Sequence, residues 1–139
     1  MLHFTFNTLP VSINKLYVNL RGQSRRFVSA EGRAFKQLVE DVVHQELQDP
    51  NLLLYVSALK HKRLDVTIKI TSPSWVLKDG VTVRKKDAMN YEKALTDSIF
   101  KTLQEYQASL DDSQIWTLTL TKEVGTADVT EYTISEHTS

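Results

Sequence analysis

The chain has 139 residues, 41% hydrophobic and 24% charged, with only 4 Gly and 3 Pro. That length and balance predict one domain around one core, and they exclude collagen-like, low-complexity and disordered chains. Cysteine is absent, which removes disulfide scaffolds, cysteine-ligated zinc, iron–sulfur clusters and thiol nucleophiles. No apolar run approaches the ~18 residues of a membrane helix, and the start lacks a signal-peptide pattern. A cytoplasmic protein with no membrane partner is the expectation.

Formal net charge is zero, but its distribution is uneven. Residues 1–40 carry +4, 41–58 carry −3, 59–93 carry +5 and 94–139 carry −6. The first basic stretch holds Lys15, Arg21, Arg25, Arg26, Arg33 and Lys36; the second holds Lys60, Lys62, Arg63, Arg84, Lys85 and Lys86. Placed on one face they would form a site for a polyanion; placed apart they are solvated loops.

Leu2 to Phe6 alternates apolar and polar residues and predicts a strand ending at Leu9-Pro10. Lys15–Leu20 and Arg25–Val28 flank Arg21-Gly22-Gln23 as a hairpin or ordered loop. Ser29 is placed to cap a helix of about 17 residues carrying Phe35, Leu38, Val39, Val42, Val43 and Leu47, and stopping before Pro50. Arg63 to Ile70 alternates as a half-buried strand. Trp75 to Val83 contains an Asp79-Gly80 turn and forms a short hairpin or extended loop. A second helix is expected from Asp87 to about Tyr106. Gln114–Val124 and Val129–Ser135 then give two strands of a final antiparallel pair. The fold class is α+β: a single small domain over residues 1–139, with a mixed or antiparallel sheet and two main helices.

The histidines (His3, His44, His61, His137) share no metal-ligand spacing, and neither a phosphate loop nor a nucleophile elbow is present. One region is unusual. Arg84-Lys85-Lys86 precedes a helix that opens on Asp87 and carries Asn90, Lys93 and Asp97 within an arc of roughly 60°. A capped helix with a solvated polar face explains Asp87. It leaves unexplained Asp111-Asp112, which close the following loop. Paired carboxylates at element ends hold hard cations such as Mg²⁺, with water and substrate phosphates completing the shell.

Four blocks in this order resemble the RusA-type Holliday junction resolvases, small enzymes mostly of phage and prophage origin. Ser12-Ile13-Asn14-Lys15-Leu16-Tyr17 is similar to the family's Ser-x-Asn-x-x-Tyr segment. Arg21-Gly22 with Val28-Ser29-Ala30-Glu31-Gly32 and Phe35-Lys36 is similar to its next block. Lys86-Asp87-Ala88-Met89-Asn90, Lys93 and Asp97 resemble its Asp-x-Asp-Asn-x-x-Lys-x-x-x-Asp helix start, and Asp111-Asp112-Ser113-Gln114-Ile115 its closing Asp-Asp-x-Gln motif.

The resemblance implies a homodimer that binds four-way DNA junctions and cuts two opposed strands with Mg²⁺, Mn²⁺ being able to substitute, and with no organic cofactor. It places Asp87 and Asp112 at the first and third metal carboxylates, and Lys93 at the lysine that assists at the phosphate. Asn14, Asn90 and Asp97 would shape the site. Lys15, Arg21, Arg25, Arg26, Arg84, Lys85 and Lys86 would hold the DNA arms. The second carboxylate position is Met89, a soft neutral thioether with negligible affinity for Mg²⁺. Asp111 is the best-placed replacement acid, which leaves a weak or inactive junction-binding protein as the alternative reading. The segment 72–84 is longer than the family pattern. It is either a tolerated surface hairpin or a wing that brings Trp75 and Lys78 to DNA.

Overall fold

A computed structural model of the chain describes residues 1–19 and 26–138. Four strands form one mixed sheet: β1 (Leu2–Phe6), β4 (Leu64–Thr71), β5 (Ile115–Glu123) and β6 (Val129–Glu136), in the order β1-β6-β4-β5. A separate hairpin pairs β2 (Tyr17–Asn19) with β3 (Arg26–Val28). Four helices complete the fold: α1 (Ile13–Leu16), α2 (Ala30–Glu46), α3 (Pro50–Ala58) and α4 (Met89–Leu103). The α+β class with two long helices holds.

Period-two alternation along each strand builds the core in rows across the sheet. Leu2, Ile134, Val66 and Leu118 lie side by side, as do Phe4, Tyr132, Ile68 and Leu120. The third row is Phe6, Thr130, Ile70 and Lys122. Apart from Leu118, Leu120 and Lys122 on the edge strand, all of these side chains are buried. Thr130 is satisfied there by donating to the Thr8 carbonyl at 2.8 Å.

Helix α2 starts where its cap dictates. Ser29 Oγ accepts from the Gly32 amide at 2.9 Å and donates to the Lys15 carbonyl at 2.6 Å, tying α2 to α1. A Cβ on Gly32 would meet the Leu16 carbonyl oxygen and Val28 Cγ1 at 2.9 Å, so only glycine allows this close approach. Phe35, Val39 and Val43 form the buried stripe.

Several expectations are corrected. The last two strands are not an antiparallel pair: β4 lies between them, parallel to β5 and antiparallel to β6. The connection from β4 to β5 runs through α4, the kind of crossover that returns a chain parallel to its starting strand. Lys15 and Leu16 belong to a helical turn rather than a strand. Pro50 does not merely end α2; it opens α3, where its missing N–H costs nothing, and the Asp49 carboxylate accepts from the Asn51 amide at 2.9 Å. Helix α4 begins at Met89, two residues after Asp87, and ends at Leu103.

The segment between β4 and α4 is built rather than loose. Its Trp75 is buried, donates its indole N–H to the Ile70 carbonyl at 2.9 Å, and meets Tyr91 edge-on at 5.7 Å between ring centroids. Trp75 is therefore an anchor, not the DNA-facing side chain that one sequence reading gave it. Truncating such a tryptophan to alanine costs about 3–5 kcal/mol.

Candidate active site

Asp87 and Asn90 lie at the start of α4 with Lys93 one turn on, and Asp111 and Asp112 open the 3-10 turn Asp112–Gln114 that leads into β5. The Asp87 carboxylate is exposed and accepts from the Met89 amide at 3.0 Å, while the Asp87 carbonyl accepts from the Asn90 amide at 3.1 Å. Asp87 thus caps the turn that enters α4. Two residues on, the Met89 side chain is 55% exposed, so a different side chain fits there without disturbing the core.

One turn further, Lys93 Nζ pairs with Asp97 at 3.4 Å. The Asp97 charge and hydrogen bond raise the lysine above its ordinary range, and Tyr17 and Asp112 add to the effect. Asp112 therefore reaches Lys93 electrostatically from a different element. Its position is fixed by Asp111, which caps the turn: the Asp111 carboxylate accepts from the Ser113 amide at 3.2 Å, and its own amide donates to Gln114 Oε1 at 2.9 Å. Hydrogen bonds from Ser113 hold the Asp111 carboxyl below the usual range. Gln114 in turn donates to the Leu59 and Lys62 carbonyls, both at 3.0 Å. The closing motif is stitched to the end of α3; Asp111 and Asp112 are both exposed, Asp111 being engaged as the cap of the turn.

Beneath this cluster, Tyr132 and Thr96 share a hydrogen bond of 3.1 Å between β6 and α4. Burial drives the Tyr132 phenol well above its ordinary range; the Thr96 bond opposes that, and the charges of Glu92, Asp112 and Asp97 reinforce it. Tyr132 was not among the residues that the motifs single out. Tyr132 occupies an alternating strand position that any core aromatic could fill, and its hydroxyl is paired with Thr96 inside the core. Lys122 was also missed. It occupies the helix-facing edge of the sheet, 4.8 Å from the Trp75 ring centroid, and donates to the Lys86 carbonyl.

Of the expected arm-holding cations, Lys15 is exposed in α1, Arg84 and Lys85 are exposed, and Lys86 is half-buried. The Arg84 guanidinium is pinned through Nε to the Val76 carbonyl at 3.2 Å. Asn14 is exposed in α1, and Asn90 is half-buried in the first turn of α4. Arg21 and Arg25 lie outside the described residues. His3, His44 and His137 make local polar contacts with Thr133, Tyr106 and Asp65, and His61 is exposed.

Among the described residues, no group of three or more His, Asp or Glu side chains is placed to hold a metal ion. The donor chemistry still suits a hard cation. Asp87 and Asp112 offer exposed carboxylate oxygens, and one or two carboxylates plus substrate phosphates are a usual Mg²⁺ shell.

The family described as Endodeoxyribonuclease RusA matches residues 8–134. No curated protein matches the chain.

Proposed function

Because the chain belongs to the RusA endodeoxyribonuclease family, we propose that it binds four-way DNA junctions and resolves them by Mg²⁺-dependent phosphodiester hydrolysis as a symmetric dimer. The observation that carries this reading is the family match across residues 8–134; the charges of Asp97 and Asp112 acting on Lys93 of α4 support it. A two-fold dimer suits the reaction, since it presents two equivalent sites to a junction with its own approximate two-fold symmetry.

Asp87 and Asp112 would hold the metal, which when bound supplies an activated water and neutralises phosphate charge. Lys93, positioned by its pairing with Asp97 at 3.4 Å, donates positive charge to the scissile phosphate. Asp111 fixes the turn that presents Asp112. Arg84, Lys85 and Lys86 lead directly into Asp87 and contact the backbone of the adjoining arm.

A second reading has a specific observation in its favour. The resemblance puts Met89 where the family motif has a carboxylate, and no group of three or more acidic or histidine side chains is placed to hold a metal ion among the described residues. This favours a protein of the same fold that binds junctions and cleaves them weakly or not at all.

Both readings require binding driven by phosphate contacts, so log affinity should fall linearly with log salt. Replacing Lys85 and Lys86 with alanine should flatten that slope by up to ~2 units, since each contact contributes ~0.9 on duplex arms. Fluorescence anisotropy across a salt series measures it. An unchanged slope would assign these lysines to solvated surface. Junctions of unrelated base sequence should bind alike, because backbone contacts carry no sequence information.

A further inference from the structure

Between β4 and α4 the chain builds a small projecting turn. Val76 and Val83 form an antiparallel bridge, and the Leu77 amide donates to the Thr82 carbonyl at 2.8 Å. Gly80 takes a positive φ of 74°, which the bend requires. The Asp79 carboxylate accepts from the Val81 and Thr82 amides at 2.9 and 2.8 Å, and from the Thr82 hydroxyl. Trp75 roots the base of the turn in the core, and the Arg84 amide closes it onto the Trp75 carbonyl at 2.9 Å. The turn is held by its own bonds and does not depend on a partner for its shape.

Its tip is apolar and exposed. Val81 is 78% exposed and Val83 73%. Leu77 and Val124, also exposed, line one shallow groove of about 340 Å³ together with Lys78 and Arg84. Isolated surface valines need no explanation, but exposed apolar side chains gathered on one rigid projection mark a contact surface. The charge around them selects the partner. Lys78 lies beside the tip, Arg84 closes the base with Lys85 and Lys86 following it in the chain, and the turn's one acid, Asp79, is engaged by internal hydrogen bonds. Two copies of such a surface repel each other. A polyanion with flat apolar faces fits it.

We propose that residues 76–84 form a wedge: Val81 and Val83 press against bases at the branch point while Lys78 and Arg84–Lys86 hold the flanking phosphates. The proposal rests on the junction-binding reading and adds to it the part of the DNA that this segment touches. Only Lys85 and Lys86 separate Arg84 from Asp87, so a wedge at the branch point places the candidate site at the neighbouring phosphates. Apolar side chains inserted at base steps open them at a cost of a few kcal/mol per step, offset by the larger protein surface that the bent DNA then wraps. At a branch point the continuous stack is already interrupted, so that cost is lowest there.

The test uses a four-way junction carrying 2-aminopurine beside the branch point, with a second junction carrying it mid-arm, in Ca²⁺ to prevent cleavage. Saturating wild-type protein should raise fluorescence at the branch point and leave the mid-arm probe unchanged. The Val81→Ser/Val83→Ser variant, altered only at exposed positions, should lose most of that rise and bind about tenfold more weakly, equivalent to ~1.4 kcal/mol. A Val81→Trp variant, with a larger apolar face, should restore or exceed the wild-type rise. Junction binding with no branch-point signal, or an equal signal from the serine variant at saturation, overturns the wedge while leaving the junction-binding reading intact. A change in light-scattering mass on Val81/Val83 substitution also overturns it, by making the tip a contact between copies of the chain. No junction binding at all would remove both.

Discussion

Replacing Met89 with aspartate should raise Mg²⁺-dependent junction cleavage by about 100-fold, which asks the new ligand for ~2.7 kcal/mol of transition-state stabilisation. Two unit charges 4 Å apart exchange about 4 kcal/mol at an effective dielectric of 20, so one added carboxylate can supply that amount. The site tolerates the change. Met89 is 55% exposed, its backbone amide already bonds to Asp87, and an acid in the first turn of α4 interacts favourably with the helix dipole. Met89→Asn, similar in shape but neutral, should give little of the gain. In an Asp87→Asn background Met89→Asp should bring no gain over wild type, because one carboxylate would merely replace another. Single-turnover cleavage, with isothermal titration of Mn²⁺ into the protein alone, separates restored metal binding from altered DNA binding. Brisk wild-type cleavage unaffected by Met89→Asp would show that the existing carboxylates suffice.

The second large effect is at Asp112. In the Met89→Asp background, Asp112→Asn should lower cleavage by ~10²–10³-fold, the usual loss when one preorganised electrostatic group is removed. Junction affinity should hold or improve, since an anion leaves the vicinity of the phosphates. The 3-10 turn should survive, because its cap is Asp111 and not Asp112. Asp111→Asn keeps a capping oxygen and should cost far less activity. Equal losses from the two substitutions would contradict the division of roles between a cap and a ligand.

How much of this was legible in the sequence varied with the range of the contacts. Ser29 announced the start of α2 because its bond to Gly32 is local. Asp87, Lys93 and Asp112 stood out because charge spacing in a helix start and an acidic pair after it are local patterns too. The neighbour of each final strand was not legible: alternation marks a strand but not what lies beside it, and β4 inserts between β5 and β6. Asp49-Pro50 carried a start signal for α3 that was hidden by reading proline only as a stop. Trp75 resembled an exposed wing residue until the Ile70 carbonyl, five residues back, and Tyr91, across the following loop, supplied its partners. The Tyr132–Thr96 bond arises from packing of β6 under α4, which no periodicity records.

The most direct test is to give the wild-type chain a synthetic four-way junction, labelled on each strand in turn, beside a duplex of equal length, with Mg²⁺ or Mn²⁺. The junction should be bound at least about tenfold more tightly than the duplex, a difference of ~1.4 kcal/mol. It should be nicked as a symmetric pair on two opposed strands, with Met89→Asp increasing the rate and not moving the cuts. Duplex bound as tightly as the junction, or cut at scattered positions by wild type and Met89→Asp alike, would contradict junction resolution by this chain.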